Sequence, residues 1–436
     1  ETRWLIDRAF HWTKKNRQME ISLNSAWRKR LLVGGAASLC LVYLVFAGGL
    51  FLASLFAERP EIASLQRAAH LDPGNADYRN HVGRYFALVA RDPVAAIVPY
   101  RAAVQLDPHA ARYWFDLASA YQVLGDISNQ TWALEHAIQA DPTTPDVAWE
   151  AANFYLVQGD DEKALHEFRV VLDNEPNLAG AAIQFCWHIN PDADMLLRDV
   201  VPARSEAYIA FLNLLLNKQE TAATAKVWTA LMATSQTFEL RYAYSYIQYL
   251  FDHKDVEQAR LVWRQAAPRF GLSAYLPTSR NLIVNGDFSL DVLNGGFDWQ
   301  YQKQPSVTLT LDPSDFHGGR RSLLITFDGP GVNDAGIRQF IAVQPNTPYE
   351  FSAYYKNGEL EGAGGPHFTL QDAYTREVVY DSDELKEAGF WKSASGEFTT
   401  GADTSLLVLR VRRLPEGSPI RGKLWVDDFH LTAKRQ

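Results

Sequence analysis

A chain of 436 residues, 47% hydrophobic and 21% charged, is too apolar for intrinsic disorder and long enough for two or three domains, each with its own core. Its two cysteines, Cys40 and Cys186, cannot build a disulfide framework, and a net charge of −9 with a sequence pI near 5.7 argues against nucleic-acid binding. The charge is uneven: residues 1–57 hold eight Lys/Arg against three acidic residues, a net +5 that leaves −14 for the remainder.

The first predicted element accounts for that asymmetry. No charged residue occurs between Leu31 and Ala57. At ~1.5 Å per residue the run spans ~40 Å against a hydrocarbon core of ~30 Å, so it predicts a single transmembrane helix. A signal-peptide core is only ~7–15 residues long and follows a much shorter leader than the thirty residues found here. Arg28, Lys29 and Arg30 at its start place the N-terminus in the cytoplasm and the acidic bulk outside. The Gly34-Gly35 and Gly48-Gly49 pairs either admit a partner helix at close range or simply tolerate lipid. Upstream, Trp4, Leu5, Phe10 and Trp12 interleave with Arg3 and Arg8, as in an interfacial amphipathic helix or a flexible tail.

From residue 58 the chain repeats itself. The helix-ending tripeptides LDP (71–73), LDP (106–108), ADP (140–142) and NEP (174–176) recur at steps of 35, 34 and 34. Two apolar-periodic stretches lie between successive tripeptides. Gly-Asp ends the first, because glycine accepts the left-handed C-cap, and Asp-Pro ends the second and opens the next. Trp114, Tyr121, Gly125, Ala137 and Pro142 fall where the tetratricopeptide repeat has its Trp, Tyr, Gly, Ala and Pro, so residues 58–178 resemble that family. The first unit is truncated: Glu61–Leu71 reads as a second helix whose partner is the transmembrane helix. Residues 179–278 remain helical as the repeat decays, with 217–232 and 253–267 aligning so that Trp228 and Trp263 are near-equivalent, and 190–202 reads as an irregular junction. The resemblance implies a solenoid whose first helices line a concave surface. Tyr78, His81, Tyr85, Arg112, Phe115, Ser119, Gln122, Trp149 and Asn153 occupy the inward positions and suit a peptide or protein edge, or else pack between repeats.

At Ser279 the period changes to two. VTLTL, RSLLITF, YEFSAYY, SLLVLRV and KLWVDDFHL are short alternating runs separated by HGGR, DGPG, EGAGG and PEGSP, which predicts an antiparallel β-sandwich over 279–436. NLIVNGDFS, HGGRRSLLI and KLWVDDFHL, in that order, resemble the jelly-roll carbohydrate-binding modules of the family 4 and 9 type. The resemblance implies glycan binding by stacking rings and hydrogen-bonding side chains, with Trp299, Tyr301, Tyr354, Phe368, Tyr374 and Trp391 as candidates; core packing is the alternative for each. Arg410 and Arg412 share a strand face and suit carboxylates or phosphates of an acidic saccharide, or protect an edge strand by charge. The family also implies a structural calcium held by an acidic residue after the first strand and an aspartate in the last. Ser289 stands in the first position, which leaves Asp427 and Asp428 as ligands.

No nucleophile elbow, phosphate loop, H-E-x-x-H or C-x-x-C occurs, and the carboxylate pairs have structural explanations, so the chain reads as non-catalytic. The fold class is multidomain α + all-β: one transmembrane helix, an α-solenoid of helix pairs and a C-terminal sandwich. This architecture resembles bacterial proteins of exopolysaccharide production and envelope assembly. It implies a scaffold in the cytoplasmic membrane with residues 58–436 outside, binding a protein partner through its solenoid and transmembrane helix and polysaccharide through its sandwich. The alternative is an accessory structural subunit of a larger membrane complex, without sugar binding.

Overall fold

The computed structural model describes residues 25–434 and divides into two units, residues 1–175 and 176–436. The amphipathic segment expected around Trp4–Trp12 lies outside the described residues.

In the first unit, α1 (Ala26–Ala57) is long and apolar enough to cross a membrane. Its last turns pack on α2 (Ile62–Leu71): Ala53 is fully buried, and Arg67 lies over Phe56 at 5.8 Å. The truncated first repeat is therefore completed by α1. Residues 26–46, all exposed, remain outside that hairpin and span ~31 Å, close to one hydrocarbon thickness. The following pairs are α3 (Ala76–Arg84) with α4 (Pro93–Leu106), α5 (Ala111–Leu124) with α6 (Ile127–Ala140), and α7 (Pro145–Gln158) with α8 (Asp161–Asn174). Their turns repeat the same chemistry. Gly125 and Gly159 take φ of 70° and 77°, and Asp92, Asp126 and Asp160 each accept the amide N–H three residues on, at 3.0–3.2 Å. In the first pair Arg91 holds the left-handed position, with φ of 55°. Ala96, Ala103, Ala118, Ala133 and Ala137 are fully buried, which lets the helices close on one another.

The second unit begins with α9 (Ala179–Ile189) and two helix pairs, α10 (Ser205–Lys218) with α11 (Thr221–Ala233) and α12 (Leu240–Asp252) with α13 (Val256–Arg269). Trp228 and Trp263 sit alike, each 1% exposed, donating to Gln265 Oε1 and the Tyr275 carbonyl. The expected irregular junction is partly helical: Asp192 caps a short turn, and Leu196 and Val200 are buried.

Ten antiparallel strands follow: β1 Gln300–Tyr301, β2 Val307–Asp312, β3 Ser322–Gly329, β4 Asp334–Ala342, β5 Pro348–Gly362, β6 Gly365–Asp372, β7 Val378–Asp381, β8 Lys392–Thr399, β9 Leu406–Leu414 and β10 Ile420–Ala433. They form two five-stranded sheets, β1-β4-β9-β6-β7 and β2-β3-β10-β5-β8, around a core that includes Phe288, Trp299, Phe351, Phe368 and Phe429. Gly286 is required where the first loop meets β10, since a Cβ there would come within 2.3 Å of the Phe429 carbonyl oxygen.

The sandwich and the last helix pair share a core. Phe251 of α12 meets Phe340 at 5.1 Å and Phe297 at 5.2 Å, and a Cβ on Gly295 would strike the Tyr244 ring. Leu407, Leu409 and Val411 point into the sandwich, so alternation turns Leu406 and Val408 outward. Both are nevertheless buried, at 1% and 3% exposure.

Candidate functional site

In the first unit the expected groove residues divide. Tyr78, His81, Tyr85, Gln122, Trp149 and Asn153 are partly exposed, and Arg112 is exposed. Phe115 is not available for a partner: it is buried and stacked on Phe154 at 6.0 Å, because its side of α5 faces the next pair. Arg112 pairs with Asp77 and bonds the Tyr113 hydroxyl. Asn80, buried, donates to Asp116 Oδ2 at 2.7 Å, and burial with the nearby Asp116 raises the Glu150 carboxyl above its usual range. Trp149 meets Phe168 edge-on at 5.5 Å, and its carbonyl accepts from Asn153 Nδ2. The surface is polar and aromatic, and its Arg112 is already paired with a carboxylate, Asp77.

In the sandwich the expected glycan residues do not form one site. Trp299 is a core residue, 1% exposed, stacked on Phe288 and donating to the Asn285 carbonyl, so it offers no face to a sugar. Phe368 is likewise buried. Tyr354 and Trp391 belong to the outer side of the β2-β3-β10-β5-β8 sheet, around a residue the sequence did not single out. His317 stacks on Tyr354 at 3.5 Å and meets Trp391 edge-on at 5.9 Å. Asp428 holds this histidine at Nδ1 (3.2 Å) and also pairs with His430 (2.9 Å). Asp427 is fully buried and accepts the amide N–H groups of His317, Gly318 and Asp428 at 2.7–2.9 Å; burial pushes its carboxyl up to about 6. The three backbone N–H groups on Asp427 are donors that a cation would have to displace. Among the described residues no three His, Cys, Asp or Glu side chains converge as metal ligands.

Arg410 and Arg412 lie on the other sheet, on its outer side. Strand register places Gln300, Arg338, Arg410, Thr369 and Asp381 directly opposite one another on β1, β4, β9, β6 and β7, a polar row across the whole sheet. At ~4.8 Å per strand the row is ~19 Å long. Phe340 and Val408 form the next row; Phe340 packs on Phe251 of α12, and Val408 is buried. Within the polar row Arg410 reaches Asp334 only at 3.8 Å, and its Nε is buried without an acceptor. Arg338 lies over the Phe340 ring; burial and then the facing Arg410 lower its pKa, against the attraction of Asp334. Thr369 donates to Asp381 at 3.1 Å, with His367 alongside, and Arg412 pairs with Glu416. Arg338 was missed because nothing local marks it: only the register shows it facing Arg410.

Residues 280–415 match the family model described as a carbohydrate binding domain, CBM_4_9. Among solved structures, "CBM4 structure and function" is 16% identical, spans 35% of this chain and 99% of its own, and has a TM-score of 0.27. The helical region is similar to the pilF protein of Pseudomonas aeruginosa (16% identity, 52% of this chain, 93% of that one, TM-score 0.25) and to MamA (19%, 41%, 94%, TM-score 0.29). The comparison with curated proteins gives no match.

Proposed function

We propose that the chain is a non-catalytic scaffold anchored in a bacterial cytoplasmic membrane, with residues 58–436 outside, binding a protein partner through the first unit's groove and an acidic polysaccharide through the β1-β4-β9-β6-β7 sheet. The apolar α1 behind Arg28, Lys29 and Arg30 supports the anchor. External protease on intact cells then removes residues 58–436 and spares the N-terminal tail; a protected C-terminus contradicts this topology.

The observation that carries the glycan reading is the Arg338–Arg410 pair: two guanidinium groups opposite each other beside one carboxylate, Asp334, with the Arg410 Nε buried and without an acceptor. A sugar carboxylate between them forms charge-assisted bonds and relieves their repulsion. The test is binding of full-length protein in mild detergent to acidic and neutral polysaccharides. Acidic chains bind at low ionic strength and are released in ~1 M salt, where screening acts within ~3 Å. Arg410→Ala weakens them at least about tenfold, in line with ~1.5–3 kcal/mol for a hydrogen bond to a charged group. Equal binding of neutral glucans, insensitive to salt, overturns the assignment.

One observation favours the structural-subunit reading: Phe251 of α12 already packs on Phe340 of the same sheet face, where Leu406 and Val408 are also buried. That reading expects no glycan binding at any ionic strength and a protein partner that stays bound.

A further inference from the structure

The polar row does not stop at the edge of the sheet. Gln300, its first member, also lines a trough of about 830 Å³ between α10, α12 and the loop at 294–296. Asn213, Asn217, Gln248 and Asn294 line it too, with Tyr244 and Tyr249. A second hollow of about 840 Å³ continues along α9, α10 and α12 and shares Asn213 and Asn217 with the first. Among the described residues no lysine or arginine lines either hollow, whereas Asp252 lines the first and Glu206 and Glu239 the second, so neither favours an anion. Asn217 and Gln248 are exposed, and Gln248 is held by a bond to Asp252 at 2.9 Å. Side-chain amides carry both donors and acceptors, so they match hydroxyl and acetamido groups and give no advantage to an anion. Beside them, tyrosine rings supply apolar faces for sugar C–H surfaces.

Resting on the acidic-glycan reading above, we propose that the sugar site is shared between sandwich and helical repeats. A heteropolysaccharide strand places an acidic unit on Arg338 and Arg410, leaves the sheet at Gln300, and lays the disaccharides that follow along the trough of α10 and α12, neutral units against the amides and carboxylates turned to solvent, away from Asp252. The ligand class is a polymer alternating uronic acid with neutral or N-acetylated sugars. The helix pair that buries Phe340 thereby serves as one wall of the site, and the length of bound polymer is set by the repeats rather than by the sandwich.

Hyaluronan oligosaccharides, which alternate a uronic acid with an N-acetylated sugar, test this on the full-length protein in detergent. A tetrasaccharide covers little more than the row, whereas a dodecasaccharide also fills the trough. The dodecasaccharide binds at least about tenfold tighter, and Asn217→Ala with Gln248→Ala reduces it to the tetrasaccharide's affinity while leaving the tetrasaccharide unchanged. Gln248→Glu, which adds a like charge, weakens the long ligand alone. Arg338→Ala weakens both. Thermal melting of each variant separates loss of binding from loss of fold, since Asn217 and Gln248 are exposed and should leave the melting temperature unchanged. If both lengths bind with equal affinity, or the trough variants bind the long ligand normally, the shared site is wrong and the acidic-glycan reading stands. Failure of both lengths to bind overturns the two together.

Discussion

The two outer faces of the sandwich use opposite means. One, β2-β3-β10-β5-β8, presents rings: His317 flat on Tyr354, with Trp391 at its edge. The other, β1-β4-β9-β6-β7, is partly covered at Phe340 by Phe251 of α12 and presents charge beside that apolar contact, with Arg338 facing Arg410. Burial explains the division. Guanidinium groups at the margin of an apolar interface are partly dehydrated, so each unmet N–H costs more there than on an open surface, and an anionic ligand gains correspondingly more. On the ring-bearing face a ring gains only its own contact area. On the function proposed above, binding is salt-sensitive on the charged face and not on the ring-bearing one.

The largest expected effect breaks the partly covered face. Phe251→Ala removes a ring that is 2% exposed and lies against both Phe340 and Phe297. It should destabilise the second unit by ~3–5 kcal/mol in chemical denaturation, as phenylalanine-to-alanine changes in cores do. A loss under about 1 kcal/mol would mean that sandwich and helices are independent. For the same reason binding is measured on the full chain: residues 279–436 alone would expose Leu406, Val408 and Phe340.

A smaller effect comes from Asp298, fully buried in the loop that meets α12. Its Oδ2 accepts the Leu293 amide at 2.7 Å, and burial pushes its carboxyl up to about 7 against the opposing pull of the Leu293 and Trp299 amides and the Asn285 side chain. The folded state therefore holds this proton more tightly than the unfolded state. Its contribution is fully present below the unfolded pKa, near ~3.9, and is lost as pH rises toward about 7. Asp298→Asn keeps the acceptor without the charge and should raise stability at pH ~8 by ~1–3 kcal/mol, with little change at pH ~4. Equal shifts at both pH values would refute the assignment.

The smallest effect is on the ring-bearing face. Trp391→Ala should cost below ~1 kcal/mol and leave acidic-glycan affinity unchanged, since partly exposed side chains carry little stability. A tenfold loss of that affinity would move the site to the ring cluster.

How much of this was legible depended on whether the deciding physics was local. The helix pairs were, because each turn is set by adjacent residues: Gly125 with Asp126, Gly159 with Asp160. The strands were as well, by their period of two, and so was the pairing of α1 with Glu61–Leu71. What alternation cannot tell is which strands share a sheet. Trp391 and Arg410 both suited a sugar, but on opposite faces they cannot share one. Trp299 looked like a stacking platform, yet the loop after Phe288 turns it into the core. Phe115 met the inward pattern of its repeat, and packing against Phe154 took it out of the groove. His317 had a trace in the sequence, a histidine opening the His317-Gly318-Gly319 turn before a strand. Arg338 had none, since its significance lies wholly in the register of β4 against β9.

The most direct test of the account places a photo-crosslinking residue at Gln300, in the polar row, and separately at Ser393, which pairs with Tyr354 on the ring-bearing sheet. Illuminated with an acidic oligosaccharide at low salt, the protein should label from Gln300 and not from Ser393, and ~1 M salt should abolish the labelling. Labelling from Ser393 alone would place the glycan on the ring face and contradict the account.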